Sequence, residues 1–222
     1  MKALLIPVKE FARAKERLAQ HLPAARRAGL ARAFAEDFFR VVQAARGFER
    51  VFVVSNEPEI LERARTLGWE TIPESRQNSE SDSVDSASRW CAEGGVTSLL
   101  RLPVDLPIVA PEDIEMLFAQ QPAAPGMVIV PSRDGDGTNA LLRTPPALFS
   151  SHFGPGSFRK HLDAAAGAGA GICVVRNPRL EFDVDDCDDL GLLSSTQSLG
   201  SATAAWLADY RESQSRSRSA SL

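Results

Sequence analysis

Long apolar runs are absent from this chain of 222 residues, so no segment reaches the length that a bilayer-spanning helix needs. Cysteine is scarce. Cys91, Cys173 and Cys187 are odd in number and widely spaced, which argues against a disulfide framework and a zinc site and reads as reduced thiols in the cytoplasm. Excess charge of one sign is also missing. A formal net charge of -4 provides no broad surface for nucleic acid or membrane. There is no glycine-rich loop of the Walker or dinucleotide-binding kind. No serine–histidine or cysteine–histidine constellation marks a covalent nucleophile. The first residues read directly as a strand, with no charged-then-apolar leader.

What is present is an alternation of strand and helix signals. Apolar, β-branched runs begin at Leu4 (LLIPV), Val51 (VFVVS), Leu99 (LLRLPV) and Met127 (MVIVPS), with a weaker one at Thr71 (TIPE). Between the first two, Leu30, Phe34, Phe38 and Val41 recur at helical spacing. Further helices are predicted from Pro58 to Leu67, from about Asp82 to Ala92, and from Pro111 onward. The pattern predicts one α/β domain over residues 1–212, with a mainly parallel sheet covered on both faces. DGDGTNALLR (from Asp134) and GICVVRN (from Gly171) are expected to add a small antiparallel part near the C-terminal ends of the main strands. Residues 213–222 are polar and low in complexity and read as an irregular tail.

Charge is concentrated in two places. From Glu181 to Asp189, six of nine positions are acidic. Asp183 and Asp185 are two apart and share a face if that backbone is extended, whereas Asp186 suits the N-cap of a following helix. Asp105 ends the run LLRLPV at the rim where α/β sheets hold ligands. If Asp105, Asp183 and Asp185 converge, they offer the hard oxygen donors that magnesium prefers; otherwise Asp105 is a loop cap and the pair is solvated. Removing one carboxylate from such a cluster is expected to relieve repulsion in the metal-free protein. The second concentration is basic: Lys9, Lys15 and Arg17 follow the first strand, either as a triphosphate cradle or as a solvated helix face. Trp69, Trp90 and Trp206 read as packing residues. His161 lies one helical turn beyond Ser157, facing either the site or solvent.

IPVK (from Ile6), AKERL, VDLP, GTNALL, FGPGSFRKH and FDVDD stand in one order between Ile6 and Asp186. In that order they resemble the CofC/FbiD guanylyltransferases. The resemblance implies a single GT-A-like nucleotidyltransferase domain that uses magnesium to transfer GMP from GTP to a small phosphorylated carboxylic acid, with release of pyrophosphate. The acceptor would be phosphoenolpyruvate, 2-phospholactate or 3-phosphoglycerate, and the step would serve coenzyme F-420 biosynthesis.

Carried over by position, Asp105, Asp183 and Asp185 match the metal-binding aspartates, with Lys15, Arg17 and Asp105 in catalytic roles. Pro7, Lys9, Lys15 and Arg17 match the loop facing the nucleotide phosphates. Thr138, Gly154 and Ser157 match the positions that hold the phospho-acid. Two departures stand out. Glu16 lies where the family has a small residue, so its acid must point outward. Asp82, Ser83 and Val84 replace the usual Gly-Leu-Asn and are similar to related cytidylyltransferases, with Ser83 a candidate base or ribose contact or part of a plain surface loop. The competing readings are a relative using another nucleotide with a sugar-phosphate or molybdopterin acceptor, and a nucleotide-binding protein without turnover. A homodimer is compatible with all of them.

The proposed chemistry suits the missing nucleophile. A phosphate monoester is largely dianionic at neutral pH, its second pKa being about 6, so the acceptor needs no general base. The barrier lies in bringing two anions together, which cations and positioning address.

Overall fold

Side-chain alternation within β1 (Lys2–Val8) sets out the layers of the molecule. Leu4, Ile6 and Val8 enter one core cluster, and Ala3 and Leu5 enter another on the opposite face. The computed structural model describes residues 1–219. The other strands are β2 (Arg50–Ser55), β3 (Glu70–Pro73), β4 (Ser98–Arg101), β5 (Gly126–Pro131), β6 (Thr138–Thr144) and β7 (Gly171–Val174). They form one 7-stranded sheet in the order β3-β2-β1-β4-β6-β5-β7. Parallel pairing joins β3 to β2, β2 to β1, β1 to β4 and β5 to β7. The antiparallel part is β6, inserted between β4 and β5 and paired with both. It is therefore an inner strand where an addition near the strand ends was expected, and GICVVRN supplies the parallel strand β7.

Helices α1 (Ala24–Ala44), α2 (Pro58–Thr66), α4 (Pro111–Ala119) and α6 (Pro178–Glu181) cover the first face. Phe38 and Phe39 of α1 are 2% and 0% exposed there, and burying each contributes roughly 2 to 3 kcal/mol. Helices α3 (Glu80–Glu93) and α5 (Ser157–Gly167) cover the second face. Leu30 and Phe34 lie on a different side of α1 and pack with α7 (Cys187–Ser195) and α8 (Ser201–Ser219). The tryptophans pack as expected: Trp69 edge-on to Phe39, Trp90 edge-on to Phe52, and Trp206 stacked on Tyr210.

Two boundaries depart from the sequence pattern. Helix α8 continues through Ser219, so residues 213–219 extend a helix where an irregular tail was expected; residues 220–222 lie outside the described residues. Asp37 on α1 accepts the backbone N–H groups of Ala202 and Thr203, satisfying the first turn of α8, and Leu207 is buried beside it. Packing thus starts a helix that composition alone does not announce. Strand β4 ends at Arg101, which leaves Asp105 in the following loop and not at the strand terminus.

Candidate active site

A cleft of about 450 Å³ opens at the C-terminal ends of β1 and β4. Because β6 runs the opposite way, its first residues, Thr138 and Asn139, reach this same rim. Pro7, Lys9, Lys15, Arg17 and Asp105 line one part, Asp183 and Asp185 lie beside them, and Thr138, Gly154 and Ser157 complete the wall. The three remote aspartates therefore share one cavity.

The basic loop is built from two short 3₁₀ turns, Phe11–Arg13 and Glu16–Leu18. Between them Lys15 adopts a left-handed backbone with φ 52°, the one positive φ outside glycine among the described residues. Such a backbone costs roughly 1 kcal/mol or more in a residue with a side chain, and it turns Lys15 inward. Its ammonium lies 2.6 Å from Asp105 Oδ2 and 3.4 Å from Asp185 Oδ1, with the side chain 7% exposed. Burial disfavours the charge on Lys15, but Asp105 and Asp185 outweigh it and raise the pKa. Burial pushes the Asp105 carboxyl up, and its contact with Lys15 pulls it down further, leaving it below the usual range. Arg17 is exposed and donates to Asp185 Oδ2 at 3.2 Å. Glu16 lies 3.9 Å from Arg13 and is 67% exposed, but it borders the same cleft, so its charge is offset by Arg13 and solvent and not by pointing away.

Asp183 and Asp185 do not sit on a paired strand. They follow the short helix α6 in an extended stretch outside the sheet, with the intervening Val184 fully buried, so the alternation survives without a ladder. The side-chain amide of Asn139 ties this stretch down by donating to the carbonyls of Leu180 and Glu181 and, at 3.3 Å, to Asp183 Oδ1. The Asp183 carboxyl is pushed up to about 6, first by burial and then by the charges of Asp105 and Asp185. The rest of the acidic run is structural. Asp186 accepts from Asp188 and Asp189 N–H as the N-cap of α7, and Asp189 accepts from Asp185 and Asp186 N–H.

The phospho-acid candidates line the same cleft. Asp136 accepts from Gly156 N–H at 2.7 Å and its carbonyl accepts from Phe158 N–H, fixing the start of α5 against the loop before β6. Gly154 has φ 114° and Gly156 φ 69°, conformations that suit glycine. Ser157 is the first residue of α5 and does not act as its cap. Its hydroxyl is buried and 3.1 Å from Thr138 Oγ1.

Ser83 is the sequence-derived candidate that the structure places elsewhere. It lies within α3 on the side facing the sheet, 1% exposed, and its hydroxyl donates to the carbonyl of Ser79. Helix α3 begins at Glu80, earlier than the expected Asp82, and Ser83 lies on the face that Val84, Ala87 and Cys91 bury against the sheet. Gln77 and Glu80 line the cleft from this segment instead. Arg101 was also missed. It is buried at the end of β4, donates to the Thr138 and Asn139 carbonyls, pairs with Glu80, and stacks over Phe153 at 4.2 Å. A lone arginine inside LLRLPV was the available signal, because a buried cation requires partners.

The family model described as "Guanylyl transferase CofC like" matches residues 1–219. The chain belongs to this family. It is 39% identical over 194 residues to the phosphoenolpyruvate guanylyltransferase of Rubrobacter xylanophilus, covering 86% of this chain and 93% of that one. It is 31% identical over 187 residues to the 2-phospho-L-lactate guanylyltransferase of Methanothermobacter thermautotrophicus, covering 84% and 81%. Among solved structures, a protein assigned as a nucleotide-diphospho-sugar transferase from Desulfovibrio desulfuricans G20 aligns with a TM-score of 0.73 at 16% identity, covering 94% of this chain and 97% of that one. A nucleotidyl transferase from Methanothermobacter aligns at 0.59 and 14% identity, covering 87% and 95%. These structures share the nucleotidyltransferase fold with the CofC-like chain. No helix among the described residues is long and apolar enough to cross a membrane.

Proposed function

We propose that this chain transfers GMP from GTP to a small phosphorylated carboxylic acid, releasing pyrophosphate, as a step toward coenzyme F-420 in the cytoplasm. One observation carries the reading: a single cleft is lined both by Lys15, Asp105, Asp183 and Asp185 and by Thr138, Gly154 and Ser157. A phosphate oxygen of the acceptor attacks the α-phosphorus of GTP, the bond to the bridging oxygen breaks, and pyrophosphate leaves with that electron pair. Lys9, Lys15 and Arg17 offset the charge of the triphosphate, and Pro7 shapes the floor beneath it. The acceptor is already an anion, so this step requires no general base.

Magnesium suits the donor chemistry: three carboxylates line one cavity, and burial, followed by the charges of Asp105 and Asp185, pushes Asp183 up to about 6. Among the described residues no three His, Cys, Asp or Glu side chains stand close enough together to hold an ion, and Lys15 occupies the position between Asp105 and Asp185. We propose that Asp105, Asp183 and Asp185 hold the ion once Lys15 turns to the nucleotide phosphates. Bound magnesium would screen the phosphate charges.

The test is a matrix of four nucleoside triphosphates against three phospho-acids, read as pyrophosphate release and product mass. Phosphoenolpyruvate heads the panel because the relative at 39% identity is named for it. GTP with at least one of these acids should give a guanosine-diphospho product. Turnover only with another nucleotide, or only with a sugar phosphate, would overturn the assignment.

A further inference from the structure

Behind the acceptor wall lies a histidine that the proposed step does not use. His161, on α5, is fully buried, and both ring nitrogens have defined partners. The backbone N–H of His152 lies 2.8 Å from Nε2, and Thr138 Oγ1 lies 3.0 Å from Nδ1. A backbone amide can only donate, so Nε2 must present its lone pair. The ring proton is then on Nδ1, and it points at Thr138.

That assignment decides what the neighbouring hydroxyls can do. Thr138 Oγ1 is also 3.1 Å from Ser157 Oγ, and both residues line the cleft. When Nδ1–H donates to Thr138, the two hydroxyls share one hydrogen bond, in either direction. In one direction the Thr138 proton is left over, and in the other the Ser157 proton. Either way a single O–H remains for a ligand. The opposite tautomer would consume the Thr138 proton on Nδ1 and the Ser157 proton on Thr138, leaving no donor to receive an anion.

We infer that His161 is a positioning residue: locked by the His152 amide as the Nδ1–H form, it donates to Thr138 instead of taking its proton, and so leaves one hydroxyl proton of the Thr138–Ser157 pair for the cleft, toward the anionic acceptor. This rests on the acceptor assignment made above. Burial, followed by the nearby charges of Arg143, His152, Arg101 and Lys160, lowers the His161 pKa to about 3, which keeps the ring neutral near pH 7. Phe149 and Phe153 flank the ring and help exclude water from it.

Two measurements test the inference separately. In protein with ¹⁵N-labelled histidine, His161 Nδ1 should show a protonated, pyrrole-type shift and Nε2 an unprotonated, pyridine-type shift, unchanged between about pH 5 and pH 8. The reverse pattern, or an imidazolium, overturns the tautomer lock without any assay of turnover. In kinetics, His161→Phe should raise the acceptor KM about tenfold or more while leaving the GTP KM within about twofold. His161→Asn keeps an N–H near the Nδ1 position and should recover most of that loss. Adding His161→Phe to Thr138→Val should cost little more than Thr138→Val alone, because both act through one hydroxyl. An unchanged acceptor KM in His161→Phe, or additive losses, would overturn the positioning role. If wild type uses none of the phospho-acids, the functional reading fails while the tautomer result stands by itself. Should His161→Phe not fold, His161→Asn and the labelled wild-type protein decide the matter.

Discussion

Lys15 Nζ sits 2.6 Å from Asp105 Oδ2, bridging residues that are 90 positions apart in sequence. In the metal-free cleft this lysine offsets part of the carboxylate charge, pairing with Asp105 and reaching Asp185. Deleting a carboxylate of the cluster is therefore not expected to relieve repulsion at Asp105, which is paired with Lys15, and is expected to do so at Asp183. Asp105→Asn should destabilise the metal-free protein by about 2 to 3 kcal/mol, because it leaves the buried Lys15 charge with a weaker partner. Thermal melts in chelator would check this, and an unchanged melting temperature would refute it.

Asp183→Asn should behave in the opposite way. The folded-state pKa of Asp183 is raised to about 6, above its ordinary 3.8, so the folded form holds the proton more tightly than the unfolded chain. Its contribution is fully favourable below the unfolded value and is lost as pH rises through about 6. The variant should gain roughly 1 to 2 kcal/mol at pH 7 in chelator and nothing at pH 3.5. Urea denaturation at the two pH values measures the difference.

Both aspartate variants should nevertheless be poor enzymes. If they hold magnesium against the triphosphate, each substitution should lower kcat/KM by about a hundredfold or more and flatten the response to added magnesium. Pyrophosphate release across a magnesium titration would show it. Wild-type turnover in either variant would remove the metal assignment.

Arg101 and Glu80 should show strong coupling. Their side chains are 6% and 19% exposed, so Glu80→Gln strands a buried cation and should cost about 2 kcal/mol or more. The double change Glu80→Gln with Arg101→Met removes the stranded charge and should recover a good part of that loss. A double-mutant cycle by denaturation yields the coupling energy, and additivity would refute the pairing.

The layer plan was legible because buried strands and amphipathic helices carry their periods in the sequence. Leu4, Ile6 and Val8 against Ala3 and Leu5 is one such signature. What escaped was set by contacts distant along the chain. The inner position of β6 follows from its pairing with β4 and β5, which no local pattern encodes. The cleft residues were legible largely through resemblance, since Thr138 and Ser157 carry no local mark of a ligand. Ser83 was misplaced because it lies inside helix α3 on the face that Val84, Ala87 and Cys91 bury against the sheet, a placement set by packing. Arg101 and Asn139 were readable in principle, as polar residues set in apolar runs that must find partners on folding.

Thr138 and Asn139 are adjacent on β6, yet they serve opposite banks of the cleft. One meets His161 and Ser157; the other grips the backbone around Leu180 and the carboxylate of Asp183. A strand start that is hydrogen-bonded on both sides acts as a shared rib. The start of β6 is thus the shared anchor through which the Thr138–Ser157 hydroxyls and the Asp183 carboxylate are held in register with each other.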